Sequence, residues 1–500
     1  MDSLMGLWSG FGVAMTWTNL FYCLIGVTVG QLVGVLPGIG PTTATALLIP
    51  LTYGMPPVTA IIMLSGIYYG GMYGGTITSV LINTPGEAAS VVTCLDGYEM
   101  AKQGRAGAAL GVAAMGSFVG GIVSVIGLAL VGPPLADFAL RFGPTEMFSL
   151  MLFGLTMVVG LMGTSIVRGL VAMCIGLSLS MIGMDPISGV LRFTFNQPFL
   201  INGLDLVTIA MGLFGLSEIF LGMENLAAAA KPQQITSFMP ERKELKVTSW
   251  AILRGTVLGF FIGLIPGTNS AIPALLSYSL EKKISKNPEK FGHGAIEGVA
   301  GPETANNSYC GGAMIPLLTL GIPSSPTIAI LLGAFIMHGL TPGPILFTQN
   351  PDFVWGVIAS MFIGNAMLLF MNLPMAGWWA KIAEVPAKLL YPIVLIISII
   401  GAYTVSNDLW DVGVMLVFGV IGYVMKKIDI PMAPIVLTYV LGAMMEKALL
   451  QSVKMNNGSL IGLIESPISV TMLVLTAVVL ASSIYAEIKN KKGMIAGESE

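Results

Sequence analysis

The chain has 500 residues, of which 55% are hydrophobic and only 10% are charged, and its mean hydropathy is +0.85. A soluble globular protein carries roughly 25% charged residues, so this composition excludes that class and predicts a polytopic membrane protein. The formal net charge of −3 says little, because charge is confined to loops, and no nucleic-acid partner is expected. The four cysteines are scattered without a C-x-x-C pair, which indicates neither a disulfide framework nor a metal site.

Taken in chain order, residues 1–17 contain Trp8 and Trp17 and are predicted to form an interfacial segment, because tryptophan favours the membrane–water boundary. A spanning helix needs about 20 mainly apolar residues. That length predicts spanning helices near 18–36, 108–131, 146–163, 167–183, 206–223, 249–266, 353–373, 390–404, 411–425, 432–446 and 467–486. Shorter apolar runs, several too short to span, lie at 41–53, 56–70, 72–83, 270–280, 308–321 and 326–340.

The longest polar stretch, 224–248, is predicted to be a cytoplasmic linker that divides the chain into two membrane repeats. The first repeat covers 18–223, and the second covers 249–486 with additional C-terminal helices. Residues 487–500 are predicted to form a charged cytoplasmic tail. The N-terminus lacks the basic start of a cleavable signal, so the first apolar segment is expected to be retained.

A Pro-Gly break occurs twice, and four residues around it match at one constant spacing. Gly30, Gly34, Pro37 and Gly38 in the first copy match Gly259, Gly263, Pro266 and Gly267 in the second. Proline lacks a backbone donor and glycine lets the chain turn, so each copy predicts a helix broken at membrane depth. Unpaired backbone groups at that depth are tolerated only where they line a cavity or are buried in protein. A weaker pair of proline turns follows, at 83–87 and 321–325.

Lysine and arginine collect on the cytoplasmic side of membrane proteins, and here they orient the two repeats. The loop at 54–57 after the first break is uncharged, whereas its counterpart at 282–290 carries four lysines. The loop after the first proline turn carries Lys102 and Arg105, whereas the one after the second carries no basic residue before Lys381. The contrast predicts an all-α polytopic membrane fold of two inverted-topology repeats, with broken helices or re-entrant hairpins at the midplane.

The breaks also supply the candidate binding residues. A half-helix N-terminus offers free N–H groups and a partial positive charge that suit a carboxylate, whereas C-terminal carbonyls suit Na⁺. No lysine or arginine occurs at 31–101 or 291–380, so an anion there must be held by dipoles, polar side chains and a co-bound cation. The candidate substrate-binding residues are Gly38, Gly40, Thr42, Thr43, Asn83, Thr84, Gly267, Thr268, Asn269, Ser270, Asn307, Ser324 and Ser325. A possible Na⁺ site is placed near Pro37, Gly38, Pro266 and Asn306.

Two simpler interpretations remain beside this one. Small polar residues at the breaks could serve only close helix packing. Glu87, Asp96 and Glu99 are expected in a solvated loop, and Glu303 is a weaker candidate for reaching the site. Because no intramembrane carboxylate is then an obvious proton carrier, the sequence favours Na⁺ over H⁺ as the coupling ion.

Several stretches resemble the large membrane subunit of the tripartite tricarboxylate transporters: 34–43, 68–76, 83–87, 95–98, 263–267, 301–307 and 320–323. The resemblance implies secondary uptake of carboxylates, such as citrate, across the bacterial inner membrane, driven by a Na⁺ or H⁺ gradient with no other cofactor. It also implies two partners, a small four-helix-type membrane subunit and a periplasmic substrate-binding protein, besides membrane lipid.

The residues leave two other functions open, a non-transporting membrane scaffold and an intramembrane enzyme. The enzyme is disfavoured because the chain has only two histidines and no H-E-x-x-H motif. The scaffold is disfavoured because it has no need of duplicated helix breaks. The absence of a P-loop, G-x-x-x-x-G-K-[ST], predicts that energy comes from a gradient or from another chain.

Overall fold

The computed structural model describes residues 3–36, 39–161, 165–185, 187–224, 233–235, 240–382, 385 and 387–497. The first group of helices is α1 (Ser3–Ala14), α2 (Trp17–Val35), α3 (Pro41–Leu48), α4 (Pro57–Ile82), α5 (Val91–Lys102), α6 (Ala106–Ala139), α7 (Pro144–Leu161), α8 (Ile166–Ser180), α9 (Leu206–Ala210) and α10 (Ser217–Glu224). The second group is α11 (Arg242–Gly263), α12 (Ala271–Ile284), α13 (Glu297–Leu320), α14 (Pro326–Met337), α15 (Pro344–Gln349), α16 (Pro351–Asn372), α17 (Ala376–Ile382), α18 (Ala387–Ser406), α19 (Leu409–Lys427), α20 (Ala433–Met455) and α21 (Pro467–Gly497).

Two smaller features complete this list. A π-helical turn, Met211–Leu216, joins α9 to α10. Two-residue strands, β1 (Gly183–Met184) and β2 (Leu191–Arg192), pair antiparallel between α8 and α9. Within the described residues, eight helical units are long and apolar enough to cross a membrane. The prediction of an all-α polytopic membrane protein is therefore confirmed.

Glycine packing explains the main error in the predicted helices. The runs at 56–70 and 72–83 form one continuous helix, α4, rather than two short ones. The glycines between them do not interrupt the helix. They let α2 approach closely, because a side chain on Gly70 would meet the carbonyl of Val27 and one on Gly74 would meet that of Gln31.

Three predicted boundaries also move. The run predicted at 308–321 belongs to α13, which begins at Glu297. Its polar residues stay helical because neighbouring helices satisfy them: Asn307 donates to Ser117 Oγ at 2.8 Å and Ser308 to the Thr256 carbonyl at 2.7 Å. Helix α11 begins at Arg242, inside the predicted linker, and α21 continues to Gly497 through most of the predicted tail.

In the first half, α2 and α4 run side by side in the same direction. Small residues at every fourth position of α2, Gly26, Gly30 and Gly34, each face the backbone of α4. The facing carbonyls follow in the same order, Met63, Ile67 and Gly71. Helix α3 then turns back, with Pro41 against Gly71, and the turn Ile49–Thr52 leads the chain to the start of α4. Together α2 and α3 form a hairpin, and Pro41 at the start of α3 is buried against α4.

The second half repeats this arrangement with α11, α12 and α13. Gly255, Gly259 and Gly263 of α11 face the backbone of α13 in order. The facing carbonyls belong to Gly301, Ala305 and Tyr309. Helix α12 packs back along α11, since Arg254 in the middle of α11 binds Glu281 near the end of α12 through bonds of 2.7 and 2.6 Å.

Helices α4 and α13 cross in opposite directions at the centre of the molecule. Thr76 of α4 donates to Glu303 near the start of α13, at 2.6 Å, whereas Tyr68, earlier in α4, lies beside Cys310, later in α13. The two hairpins therefore enter the bundle from opposite ends of this central pair. The residues at the starts of α3 and α12 line one cavity beside Tyr68 and Tyr309, and the candidate site lies there.

Candidate functional site

A cavity of about 480 Å³ lies where the breaks of both halves meet, and we call it the break cavity. Three short-helix N-termini open onto it, since α3 follows Gly40, α12 follows Ser270 and α14 follows Ser325. Each N-terminus contributes a partial positive charge. Six of the predicted binding residues line the cavity: Gly40, Thr42, Thr43, Asn269, Ser270 and Ser325.

Side-chain bonds tie these helix starts together. The hydroxyls of Thr42 and Thr327 lie 2.6 Å apart and join the first turns of α3 and α14. Thr43 donates to the carbonyl of Phe214 at 2.9 Å, which links α3 to the π-helical turn. The wall of the break cavity is thus built across both halves, so movement of one hairpin against the other would change its shape.

The helix starts differ in how they are capped. Asn269 Oδ1 accepts from the N–H groups of Ala271 and Ile272, at 3.1 and 3.3 Å, and so occupies donors of α12. Ser325 Oγ accepts from Ile328 N at 3.3 Å at the start of α14. Gly40 has no side chain with which to cap α3. The first donors of α3 are therefore the ones that no N-cap side chain occupies.

Four predicted binding residues near the second break and on α13 lie behind the cavity wall. Gly267, with φ of +82°, packs against the backbone of Val158, and Thr268 bonds to the hydroxyl of Tyr309, which itself lines the cavity, at 3.2 Å. Asn307 faces Ser117 of α6, and Ser324 donates to the Ala313 carbonyl at 3.4 Å. These side chains serve packing and helix ends.

The remaining predicted residues lie elsewhere or outside the described part. Asn83, with φ of +55°, ends α4, and Thr84 donates to the Ile82 carbonyl at 3.2 Å, so neither lines the break cavity. Pro266 lies in the turn between α11 and α12 and does not line it either. Pro37 and Gly38, at the tip of the first break, lie outside the described residues.

Glu87 is the main residue that the sequence misplaced. Expected in a solvated loop, it is only 8% exposed and lines the break cavity. The turn at 83–87 folds back into the bundle, where Gly86 packs so closely on Gly34 and Gly75 that no side chain would fit. The glycine after Pro85 was the available signal, because a close backbone approach requires one.

The carboxylate of Glu87 is held by neutral donors. Oε1 accepts from Asn306 Nδ2 at 3.1 Å, and Oε2 accepts from Ala89 N at 2.8 Å. The other amide atom, Asn306 Oδ1, and the hydroxyl of Tyr68 are buried without a hydrogen-bond partner among the described residues. A carboxylate, an amide oxygen and a phenol are the kind of oxygen set that a monovalent cation or a proton could bind.

The other acidic residues divide into three roles. Glu303, 1% exposed, accepts from Thr76 and Thr93 and lies one helical turn before Asn306. Asp96 is fully buried, contrary to the solvated-loop expectation, and accepts from the N–H groups that precede α13: Gly292 at 2.9 Å, Gly294 at 2.8 Å and Ala295 at 2.8 Å. Only Glu99 matches that expectation, paired with Lys102 near the surface. The inference that no buried carboxylate could carry a proton is therefore wrong.

A basic residue also reaches the site from far along the chain. Lys426, in the last turn of α19, lines the break cavity and donates to Glu218 in the first turn of α10, which lines it as well. The breaks themselves carry no basic residue. Only the tertiary structure brings this pair to them, which is why the sequence did not reveal it.

A second cavity, of about 560 Å³, lies at the opposite ends of the same elements. Helix α14 contributes Pro326 to the break cavity and Met337 to the second one. Helix α19 contributes Lys426 to the first and Trp410 to the second. We call the second one the acidic cavity, because three aspartates line it: Asp205, Asp408 and Asp411.

Comparison with known proteins adds a family to this geometry. A family model described as the tripartite tricarboxylate transporter TctA family matches residues 20–437. The matched span contains both breaks, the buried turn with Glu87, and Lys426. No solved structure matches the chain.

Two relatives from Agrobacterium vitis are similar to the chain. An uncharacterized 52.8 kDa protein in the TAR-I ttuC' 3' region is 41% identical over 501 residues, which cover 100% of both chains. An uncharacterized protein in the TAR-II ttuC' 3' region is 41% identical over 242 residues, covering 48% of this chain and 100% of its own length. Neither protein's description names a substrate.

Proposed function

We propose, from the premise that the chain belongs to the tripartite tricarboxylate transporter TctA family, that it imports a carboxylate through the break cavity. The substrate is citrate or another tri-, di- or monocarboxylate, and the membrane is the bacterial inner membrane. A periplasmic binding protein delivers the substrate, and a small membrane subunit completes the assembly. The observation that carries the proposal is the convergence of three helix N-termini from both halves on one cavity.

The chemistry of the break cavity suits a small anion. Its volume of about 480 Å³ falls within the roughly 300–1,000 Å³ of common ligand pockets. Helix N-termini bind carboxylates through free N–H groups and the helix dipole. Thr42 and Ser270, which line the cavity, add hydroxyl groups as hydrogen-bond partners. An enzyme would instead need reactive groups, whereas this cavity offers binding groups.

The paired hairpins support the inverted-repeat part of the proposal. Each half has a first helix parallel to a long central helix, a hairpin tip, and a turn that folds back beside that central helix. Because α4 and α13 are antiparallel, the two units have opposite directions. Inverted repeats of this kind place substrate between them near the midplane.

The two cavities support a transport path rather than a scaffold. The break cavity and the acidic cavity share α14, α19 and the unit formed by α9 and α10, at opposite ends. Rocking of the hairpins against those helices would open one cavity as it closes the other. That movement is alternating access, which a non-transporting scaffold does not require.

The coupling cation is proposed to bind beside Glu87, at Asn306 Oδ1 and the Tyr68 hydroxyl. These unpartnered buried oxygens would gain a partner, and the carboxylate would gain a compensating charge. Either Na⁺ or H⁺ could supply that charge. The sequence favoured Na⁺ because carbonyls and side-chain oxygens at the breaks resemble a Na⁺ site and because no intramembrane carboxylate was an obvious proton carrier. Buried Glu87 removes the second reason, so experiment must decide between Na⁺ and H⁺.

The test is uptake of radiolabelled citrate, succinate and acetate by proteoliposomes that contain the chain, its small membrane subunit and the periplasmic protein. Imposed Na⁺ and H⁺ gradients are varied independently. We expect uptake of at least one carboxylate that requires the binding protein and one of the two gradients. Absence of uptake with any combination would contradict the proposal and favour the scaffold. Uptake unchanged when choline replaces Na⁺ at fixed pH would assign the coupling to H⁺.

A further inference from the structure

The break cavity has one positive side chain, and its position suggests a role in choosing the substrate. Among the described residues that line it, the ionisable acids and bases are Glu87, Glu218 and Lys426. Lys426 reaches the cavity from the C-terminal end of α19, whereas the buried carboxylate of Glu87 reaches it from the turn before α5. It is the only lysine or arginine in that described lining.

In the unliganded cavity Lys426 is paired, but not deeply buried. Its Nζ donates to Glu218 Oε1, and the two side chains are 23% and 32% exposed. Glu218 follows the π-helical turn Met211–Leu216, an irregularity that is frequent at functional sites. Partly exposed ion pairs add little to stability, so this pair can open without unfolding its helices.

A neighbouring pair joins the same two helices without touching the cavity. Lys427 contacts Glu224 at 2.6 Å, and both side chains are 44% exposed. Neither residue lines the break cavity. If the function of such pairs were only to hold α10 against α19, the two pairs would be equivalent.

We propose that Lys426 binds a carboxylate of the substrate directly and that Glu218 occupies the same place when the cavity is empty. The inference rests on the proposed function. A side-chain carboxylate and a substrate carboxylate offer lysine the same acceptor, so one can replace the other on the ammonium group. The cavity then has two anion-binding regions, the helix N-termini of α3, α12 and α14 and the ammonium group of Lys426. A substrate with two or more carboxylates fills both, whereas a monocarboxylate fills one.

The test measures binding to the purified full-length chain by equilibrium dialysis with radiolabelled citrate, with succinate and acetate as competitors. Loss of a charged hydrogen bond should raise the Kd for citrate about tenfold or more in Lys426→Gln. Glu218→Gln removes the internal competitor and should lower that Kd several-fold, and Lys426→Arg should retain most of the affinity. Lys427→Gln and Glu224→Gln are the matched controls and should change the Kd less than about twofold.

Competition adds a readout that an ion pair with a purely structural role would not change. Lys426→Gln should reduce the preference for citrate and succinate over acetate, while melting temperatures of Lys426→Gln and Glu218→Gln fall equally. If Lys426→Gln and Glu218→Gln weaken citrate binding equally, the proposed role of Lys426 is overturned. An unchanged Kd in Lys426→Gln, while the wild type binds citrate, would overturn it as well, and neither result would contradict the proposed function. Absence of binding of all three carboxylates to the wild type would overturn the proposed function with it.

Discussion

In the first half of the chain, α3 follows Gly40, which has no side chain to cap the helix and has open space around it. In the second half, α12 begins after Asn269, whose side chain accepts from two of the helix's own donors. At the tip of the second hairpin, Gly267 is pressed against Val158 of α7. One backbone arrangement thus leaves donors available in one half and closes them in the other.

The folded-back turns show a second difference. The turn of the first half brings Glu87 to the break cavity, whereas the turn of the second half brings Ser325. A carboxylate attracts cations, and a serine hydroxyl is neutral. The comparison teaches that two similar backbone arrangements carry different side chains to one cavity: an acidic residue comes from the first half, and the capping residues Asn269 and Ser325 come from the second.

The largest expected effect concerns the opposite directions of the two halves. In a variant without the four native cysteines, single cysteines are placed at Met55, after the first hairpin, and at Ser285, after the second. Basic loops lie near Ser285 and none lies near Met55, so the two should label from opposite sides of the membrane. An impermeant thiol reagent on intact cells and on inverted vesicles measures this. Labelling of both from one side would break the comparison at its base.

The next effect compares Gly267, at the tip of the second hairpin, with Gly40, the residue before α3. Gly267→Val places a side chain on the Val158 backbone at φ of +82°, which adds strain of roughly 1–2 kcal/mol and overpacking of about 1–3 kcal/mol. We expect a clearly lower melting temperature and loss of transport. Gly40→Ala is the matched control, because its surroundings are open and its φ is −71°. The free energy of unfolding of Gly40→Ala should fall by less than about 1 kcal/mol. Equal melting temperatures for the two variants would contradict the difference in packing between Gly267 and Gly40.

A smaller effect is expected from the charge difference between the folded-back turns. Glu87→Gln keeps the shape and the bond to Asn306 but removes the charge that the coupling cation would balance. We expect gradient-driven uptake to fall about tenfold or more, in line with the loss of a charged interaction, while substrate exchange at equal gradients continues. Glu99→Gln, near the surface, is the control. If exchange and driven uptake fall together, Glu87 serves binding or folding rather than coupling.

Local sequence patterns predicted the class of fold and the two breaks, because hydropathy and the Pro-Gly motif are properties of short stretches. They did not distinguish a glycine that breaks a helix from one that packs a helix, and so α4 was divided in two. They also placed Glu87 in solvent, since a turn that folds back into the bundle has the same composition as an exposed loop. Lys426 lies hundreds of residues along the chain from the first Pro-Gly break and from the turn at 83–87. Only the packing of α19 brings it to the site.

The smallest expected effect tests the free donors of α3 directly. Asparagine at position 40 would place an amide oxygen where Asn269 places one for α12, and Gly40 has both the space and an extended φ and ψ of −71° and 170° that suit an N-cap. Gly40→Asn should therefore leave the free energy of unfolding unchanged or raise it by a few tenths of a kcal/mol, so its melting temperature should not fall.

The same substitution should weaken the binding of citrate, because the new side chain occupies the donors that the carboxylate would use. We expect a Kd about threefold to tenfold higher, which corresponds to roughly 0.7–1.4 kcal/mol. Gly40→Ala adds bulk without an acceptor and should bind citrate nearly as the wild type does. Asn269→Gly, the reciprocal change, frees donors of α12 and should not weaken binding. Stability and affinity thus move in opposite directions only if the uncapped start of α3 holds the substrate, since a packing role alone would make them fall together in both Gly40 variants.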